Sequence, residues 1–493
     1  MLTLAILLPL IGAIAYAVSP RLPDRLARPV AIVVAAVPLM PLIVVWAAFD
    51  HSGPLFQSVE SVPWIPTVGA SFTLGVDGIA LPIAVMSVLL FVAAIAYPVE
   101  DDGRLRSYLA WMLFLEAVSL GLFLALDLLL FYVFFDLSLV GMYFLIARWG
   151  HGDAKRVALK FFIYTLFGSL VLLLGILSLA LAGPEVTFDL PTLIGKQPLA
   201  GDGLRAGLTL LAILVGLAVK TPLVPVHTWL PVAHVQAPAP ASTILAGVLL
   251  KMGVFGMIRI AYAPMADTFG RYAVWLGAVA VISIIWGALV ALGQTDIKRR
   301  IAYTSITHMG YSVLGIAAAG MVGSGQAYRL ALAGATLEMV AHGFITGALF
   351  LITGSFWHRA HDYSMANFGG LAAMAPQLTA ATILASFASL GLPGLAGFVA
   401  EFQIFTGTLA VQPVLAGLAL LGVLLTAVLF LQMIQQVFFG PAPTTLTDFA
   451  DLSTAERLPL ALLLIPVVVI GVAPSFVLGP MAATADALAR MVS

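Results

Sequence analysis

The run Leu208-Thr-Leu-Leu-Ala-Ile-Leu-Val-Gly-Leu-Ala-Val-Lys220-Thr-Pro222-Leu-Val-Pro225-Val-His227-Thr-Trp-Leu-Pro231 has the length and apolar character of a bilayer-spanning helix. It also carries a lysine far from either end, and prolines that break the helical ladder. A charge at the bilayer centre costs at least about 2.5 to 3.5 kcal/mol on insertion scales, so Lys220 needs a partner, water or a function there. A second interrupted run, Leu390-Gly-Leu-Pro393-Gly-Leu-Ala-Gly397, lies in the later half of the chain. Matched interruptions in two halves that cross the membrane in opposite directions point to inverted repeats around an ion pathway.

The rest of the chain fits that setting. Of its 493 residues, 62% are hydrophobic and 9% charged, against roughly 25% charged in a soluble domain. The apolar runs are continuous rather than alternating, which excludes a transmembrane β-barrel. The spacing predicts an all-α polytopic membrane protein of about fourteen helices, at roughly 2–19, 29–49, 76–98, 108–126, 128–147, 157–183, 206–231, 240–262, 272–292, 300–320, 327–353, 379–408, 412–439 and 458–480. Spans seven and twelve are the discontinuous ones. Two five-helix repeats are expected at 108–262 and 272–440, preceded by three helices over 1–107 and followed by helix fourteen and a tail over 441–493. The start, Met1-Leu2-Thr3-Leu4, has no basic segment and reads as a first membrane helix rather than a cleaved signal. With no cysteine, no Gly-rich phosphate loop and no His-Glu-x-x-His, the chain excludes iron–sulfur clusters, structural zinc sites and the usual nucleotide cradles. A net charge of -1 leaves no nucleic-acid footprint.

Basic residues are retained on the cytoplasmic side. With both termini outside, the inner loops hold Arg21, Arg25, Arg28, Arg104, Arg106, Arg148, Lys155, Arg156, Lys160, Lys298, Arg299, Arg300, Arg359 and Arg457. The outer segments hold Lys196, Arg205, Arg259, Arg271, Arg329 and Arg490. That imbalance, 14 against 6, supports an even number of crossings. Asp153 and Asp296 each stand just before an apolar run, where a carboxylate caps free N–H groups. Both loops read as helix starts at the membrane surface, solvated and setting topology.

The ionisable residues placed inside spans are Glu116, Asp136, Lys220, Lys251, His308, Glu338, His342 and Glu401. Burial favours a neutral lysine and a nearby carboxylate a charged one, so a mobile acid beside a buried lysine makes a proton-binding switch. Asp136 is the expected first partner of Lys220, and Glu401, beyond the span-twelve interruption, the terminal acid of the other half. Lys251, His308, Glu338 and His342 are expected to form a row between them. Glu338 and His342, four residues apart, share a helix face. Glu116 divides evenly between a gate and a structural pair. His227 and His234 read as interfacial packing, and His51, His151, His358 and His361 as solvated loop residues.

Lys220-Thr-Pro-Leu-Val-Pro-Val-His-Thr-Trp-Leu-Pro231, Ala246-Gly-Val-Leu-Leu-Lys251-Met-Gly, Asp296-Ile-Lys-Arg-Arg-Ile-Ala-Tyr-Thr-Ser-Ile-Thr-His308, Ala341-His342-Gly-Phe and Gly391-Leu-Pro-Gly-Leu-Ala-Gly-Phe398 together resemble the proton-conducting membrane module shared by complex I and Mrp-type antiporters. Gly75-Val-Asp77-Gly-Ile-Ala and Glu401 resemble its chain M, or subunit 4, branch. The resemblance covers most of residues 72–440. It implies a fourteen-helix fold of inverted repeats with a polar axis along the membrane plane, in which Asp136 pairs with Lys220, Lys251 is the central lysine, His308 and His342 connect, and Glu401 is the exit acid. Asp136 stands where relatives usually carry Glu, one methylene longer, so its pair with Lys220 must be drawn closer or bridged by water. Glu338 replaces an amide or apolar residue of relatives.

The resemblance further implies a proton-translocating subunit of NADH-quinone oxidoreductase in the inner (plasma) membrane, surrounded by lipid and by neighbouring antiporter-like chains. No cofactor is expected in this chain; NADH, FMN, iron–sulfur clusters and quinone belong to partner subunits. The alternative is a subunit of a multi-subunit Na+/H+ antiporter, with Na+ in place of or beside the proton. A passive or quinone-binding scaffold would instead leave transport untouched when Lys220 and Lys251 are neutralised.

Overall fold

A computed structural model describes residues 1–18, 23–99, 103–443 and 448–492. Arg21, counted above among the inner-loop arginines, lies outside the described residues. Each of the fourteen expected spans falls on helix. Ten of the helical stretches among the described residues are long and apolar enough to cross a membrane, and Leu2–Val18, Ala80–Ala96 and Ala396–Val411 are shorter apolar helices. The chain is a multi-pass helical membrane protein.

Local chemistry sets several helix ends. Asp127 starts Leu128–Trp149 by accepting from the amides of Leu129 (2.9 Å) and Leu130 (3.0 Å). Asp296 does the same for Ile297–Val322 through the Arg299 amide at 2.7 Å. Asp153, expected to cap Ala154–Ala180, makes no such bond and lies 3.9 Å from the exposed Arg156.

The two interruptions are real. Gly203–Lys220 stops at the lysine, the backbone is irregular through Trp229, and helix resumes at Leu230–Gln236. Pro376–Ser389 gives way to a short loop before Ala396–Val411. In that loop Gly391 and Gly394 have φ of +75° and +92°, which side chains disfavour. Span eight carries two widened π segments, Leu245–Leu249 and Met257–Tyr262.

Three features depart from the sequence reading. An antiparallel β-hairpin, Gln57–Ile65 paired with Ala70–Val76, precedes span three. The fourteenth span ends at Val472, short of the expected 480, because Ala473 precedes Pro474 and leaves the helical region. A separate helix, Ser475–Val492, then lies back over the hairpin side, where Thr484 Oγ1 accepts from the Gly78 amide at 2.7 Å.

Span eleven, Gly325–Ala360, is buried on all sides over its most apolar stretch, so it forms the centre of the bundle. Pro413–Phe439 presents Leu418, Leu420, Leu421 and Leu424 outward, as a lipid-facing helix does. Glycines set the closest approaches. A Cβ on Gly253 would lie 2.8 Å from both the Leu217 carbonyl oxygen and the Thr221 amide nitrogen, backbone atoms that have little freedom to move. Gly253→Ala is therefore expected to lower the thermal stability of the purified protein by roughly 1 to 3 kcal/mol through overpacking, read as an earlier unfolding transition.

Candidate proton path

Lys220 closes the first part of span seven, where the following prolines end the helix and leave its ammonium inside the bundle. Its Nζ donates to Ser138 Oγ at 2.8 Å and lies 4.8 Å from the centre of the Phe135 ring. Ser138 in turn donates to the Phe135 carbonyl at 2.6 Å. Asp136, on the same helix as Ser138, is the charged group acting on Lys220. The two form no ion pair within 4.0 Å among the described residues, and Asp136 Oδ1 has no hydrogen-bond partner. The expected direct pair is thus replaced by a serine contact: the shorter acid stops short, and the hydroxyl two residues on takes up the ammonium.

Lys251 sits beside the first π segment, where a widened turn loosens the ladder. Its Nζ donates to the Ala246 carbonyl at 2.5 Å and lies 2.6 Å from His342 Nδ1. An ammonium donating to Nδ1 places the imidazole's own hydrogen on Nε2, which has no partner. The rings of His342 and His308 are 5.3 Å apart. His308 Nδ1 is 2.9 Å from Glu338 Oε1 and 3.8 Å from Glu401 Oε1, and its Nε2 is 3.0 Å from Ser389 Oγ, the last residue before the span-twelve break. Glu401 in turn leans on the break: a Cβ on Gly391 would lie 2.5 Å from its Oε2. Lys251, His308, Glu338, His342 and Glu401 are between 0% and 5% exposed and form one continuous cluster. Glu338 shares a face with His342, as the spacing requires, but its contact is with His308.

Glu116 stays apart from this row. It is wholly buried, and neither carboxylate oxygen has a hydrogen-bond partner. Several residues are corrected by the structure. Lys298, read as a solvated loop cation, is fully buried and donates to the Ala237 carbonyl at 2.5 Å; Arg300 is buried too, with Nη1 2.9 Å from the Leu429 carbonyl. Both belong to the first turn of Ile297–Val322, which tertiary packing seats against Ala237 and Leu429, contacts that a count of loop charges does not register. His234 is fully buried, stacked 4.4 Å from Phe350, and both its ring nitrogens are unpaired. It lies within the electrostatic reach of Lys298, Lys251 and His342, and the sequence marks it by its place at the end of the Lys220 motif, in Ala233-His234. His227 is also buried, with Nδ1 unpaired. Arg259, assigned to an outer segment, is buried against Asp77. His151 is stacked 4.1 Å from Trp357, and His358 packs on Tyr97, so neither is freely solvated.

Comparison with known proteins gives the family and the fold. Residues 125–427 match the family of NADH:quinone oxidoreductase/Mrp antiporter transmembrane subunits. An NAD(P)H-quinone oxidoreductase chain 4 of Thermosynechococcus vestitus is 38% identical, over 100% of this chain and 92% of the relative. The chain belongs to the NADH:quinone oxidoreductase/Mrp antiporter membrane-subunit family. The NADH-quinone oxidoreductase subunit M of Rickettsia prowazekii is 36% identical over 97% of this chain and 96% of the relative. A chain of the structure of respiratory complex I from Thermus thermophilus with bound NADH superposes with TM-score 0.89 at 28% identity, covering both chains in full. This member of the family thus shares fold and length with chain 4 and subunit M relatives, and carries the row of buried polar groups described above.

Two measurements follow from the geometry. Ser138→Ala removes the acceptor of the Lys220 ammonium, and a buried charged donor left unpaired costs about 1 to 3 kcal/mol or more; the variant is expected to melt earlier, and Ser138→Thr to retain native stability. At the face opposite the hairpin, burial beside Trp357, then the nearby Lys298, His361 and His358, hold His151 down at about 4. An unfolded histidine titrates near pH 6.5, so between about 6.5 and 4 the unfolded chain binds the extra proton and stability falls as pH falls. Trp357 fluorescence is expected to report loosening of this face over that window, and His151→Gln to flatten the response.

Proposed function

We propose that this chain is the proton-translocating membrane subunit of an NADH-quinone oxidoreductase, moving protons along a buried axis while quinone is reduced in other subunits. The observation that carries the reading is the contact series Lys251–His342, His308–Glu338 and His308–Glu401, anchored to one broken helix through Ser389. Lys220, at the other broken helix, begins the axis with Asp136 and Ser138. The 36–38% identity to chain 4 and subunit M relatives over nearly their whole length favours this reading over the Mrp-type alternative.

Each role follows from chemistry. Asp136 is the movable acid: when its carboxylate approaches, Lys220 holds a proton, and when it withdraws the ammonium is left in an apolar setting and gives the proton up. Lys251 holds the central proton, stabilised by the Ala246 carbonyl, and hands it to His342 Nδ1 while Nε2 is free to release one. His308 bridges toward Glu338 and Glu401, and Glu401, against the glycine loop of span twelve, is the acid from which the proton leaves. Glu338 gives His308 a resident acceptor. Glu116 divides between a gate and a structural pair; its buried carboxyl, with no hydrogen-bond partner, has room to accept a proton. The segments 108–262 and 272–440 are the two inverted repeats, 1–107 and 441–493 the additions.

The chain itself supplies no redox centre; NADH, FMN, iron–sulfur clusters and quinone are held by partner subunits, and neighbouring antiporter-like chains and lipid surround it. It lies in the inner membrane with both termini on the outer side.

Lys220→Ala, in membranes whose complex assembles normally by native gel, is expected to lower coupled proton pumping by at least about tenfold, equivalent to 1.36 kcal/mol or more on the barrier. Lys251→Ala is expected to do the same. Normal pumping in both would reduce the buried charges to structural groups. Normal NADH oxidation with loss of Na+ tolerance alone would move the chain to the antiporter class.

A further inference from the structure

Within the row, His308 has a partner on each ring nitrogen, whereas His342 Nε2 has none. His308 Nδ1 faces two acids, Glu338 Oε1 at 2.9 Å and Glu401 Oε1 at 3.8 Å. Its Nε2 faces a hydroxyl, Ser389 Oγ at 3.0 Å. All four residues are between 1% and 5% exposed. Ser389 is the one member of this cluster that does not titrate. Its contact depends on the break in span twelve: Pro376–Ser389 ends at the serine, where Leu390 leaves helical dihedrals and Gly391 follows at φ +75°. Ser386, one turn earlier on the same helix, is also buried, and its hydroxyl has no hydrogen-bond partner.

A neutral imidazole carries one hydrogen, and the bond made by one nitrogen decides the state of the other. A carboxylate at Nδ1, acting alone, draws that hydrogen to Nδ1. The nitrogen beside the acids is then occupied and takes up no further proton. A hydroxyl oxygen that accepts from Nε2 reverses the choice: the hydrogen stays on Nε2 and the Nδ1 lone pair is turned to the acids. Glu338 Oε2 has no hydrogen-bond partner among the described residues, so the contact with Nδ1 orients that carboxyl. Glu401 Oε1 lies just beyond hydrogen-bond range of the same nitrogen, and its Oε2 rests against Gly391 in the break. One nitrogen therefore serves both acids, and the helix that ends in Ser389 leads through the glycine loop into the one that carries Glu401.

We propose that Ser389 is a positioning residue that fixes the tautomer of His308: by accepting the Nε2 hydrogen it leaves Nδ1 as the working nitrogen, through which one proton is shared between Glu338 and Glu401. This rests on the proton-translocating reading above. With His308 charged, its Nε2 hydrogen lies on Ser389 and its Nδ1 hydrogen points at the Glu338 carboxylate. Transfer of the Nδ1 hydrogen leaves a neutral Glu338 carboxyl and a neutral imidazole whose remaining hydrogen is still on Nε2. Returned to Nδ1, the same proton passes to the Glu401 carboxylate when that acid closes on the nitrogen. Glu338 is thus the holding site and Glu401 the acid that carries the proton away, while Ser389 itself handles neither.

The test reads pumping per NADH oxidised in sealed membranes whose complex assembles normally by native gel. Ser389→Ala is expected to lower it by at least about tenfold, the least that a positioned proton-transfer group contributes being larger still. Ser389→Thr keeps the hydroxyl and is expected to restore pumping. Ser386→Ala removes a buried hydroxyl from the same helix without touching the row, and normal pumping is expected. An equal loss in Ser386→Ala would assign the effect to the helix and overturn the role of Ser389.

Glu338→Gln supplies a comparison that a merely structural serine would not move. It removes the charge that draws the hydrogen to Nδ1 and leaves the route through His308 to Glu401 in place. Residues that act through one group are non-additive, so adding Ser389→Ala to Glu338→Gln is expected to cost less than about twofold further. A full second loss would overturn the tautomer role, and this comparison decides even where Ser389→Thr is too bulky to assemble. Pumping abolished by Glu338→Gln alone would make that acid obligatory and overturn the sharing. Lys251→Ala is read in parallel. Loss there with normal pumping in Ser389→Ala would overturn the role of the serine and leave translocation standing; normal pumping in both would overturn the translocation reading itself.

Discussion

The cost of holding charge in an apolar bundle governs this structure. Lys220, Lys251, His308, Glu338, His342 and Glu401 are buried inside the bundle, and a low dielectric penalises each ionised group unless something answers it. The answers are few and specific: a serine hydroxyl and a phenylalanine face for Lys220, a backbone carbonyl and an imidazole nitrogen for Lys251, a carboxylate and a serine for His308. None of these is a saturated, rigid ion pair. Several atoms, among them Asp136 Oδ1, Glu338 Oε2 and His342 Nε2, keep no partner at all. A row satisfied this incompletely is poorly suited to holding a bundle together and well suited to changing its protonation.

The irregular backbone serves the same groups. A continuous helix would leave no carbonyl for Lys251 and no terminal serine for His308. The π segment before Lys251 and the break after Ser389 supply them, inside protein rather than against lipid, which is where non-helical backbone can exist at membrane depth. Span eleven contributes both Glu338 and His342 from the centre of the bundle, so the second half of the row has a continuous helical support between the π segment of span eight and the break of span twelve.

Much of this was legible in the chain. Apolar runs of bilayer length located the helical stretches, since the demand that backbone groups be satisfied within a segment leaves helix as the only choice for a continuous run. Pro222, Pro225 and the Gly391–Gly397 stretch marked both interruptions, because proline removes a donor wherever it stands. Lys220, Lys251 and Glu338 declared themselves by being charged in apolar surroundings. The hairpin was overlooked because Gln57–Val76 is short, partly polar and carries no bilayer-length signal, and the terminal helix was merged with span fourteen across Ala473-Pro474.

The sequence by itself determined the class, the spans, the interruptions and the set of ionisable groups inside them, because each follows from the local balance of apolar area, backbone hydrogen bonds and charge. Only the tertiary structure decided who meets whom: that Ser138 rather than Asp136 touches Lys220, that Glu338 turns to His308, that Lys298 and His234 are buried, and that Arg259 closes on Asp77 beneath the terminal helix. Those outcomes depend on which helix faces which and at what height, set by packing between segments far apart in the chain, and a single sequence carries no local mark of it.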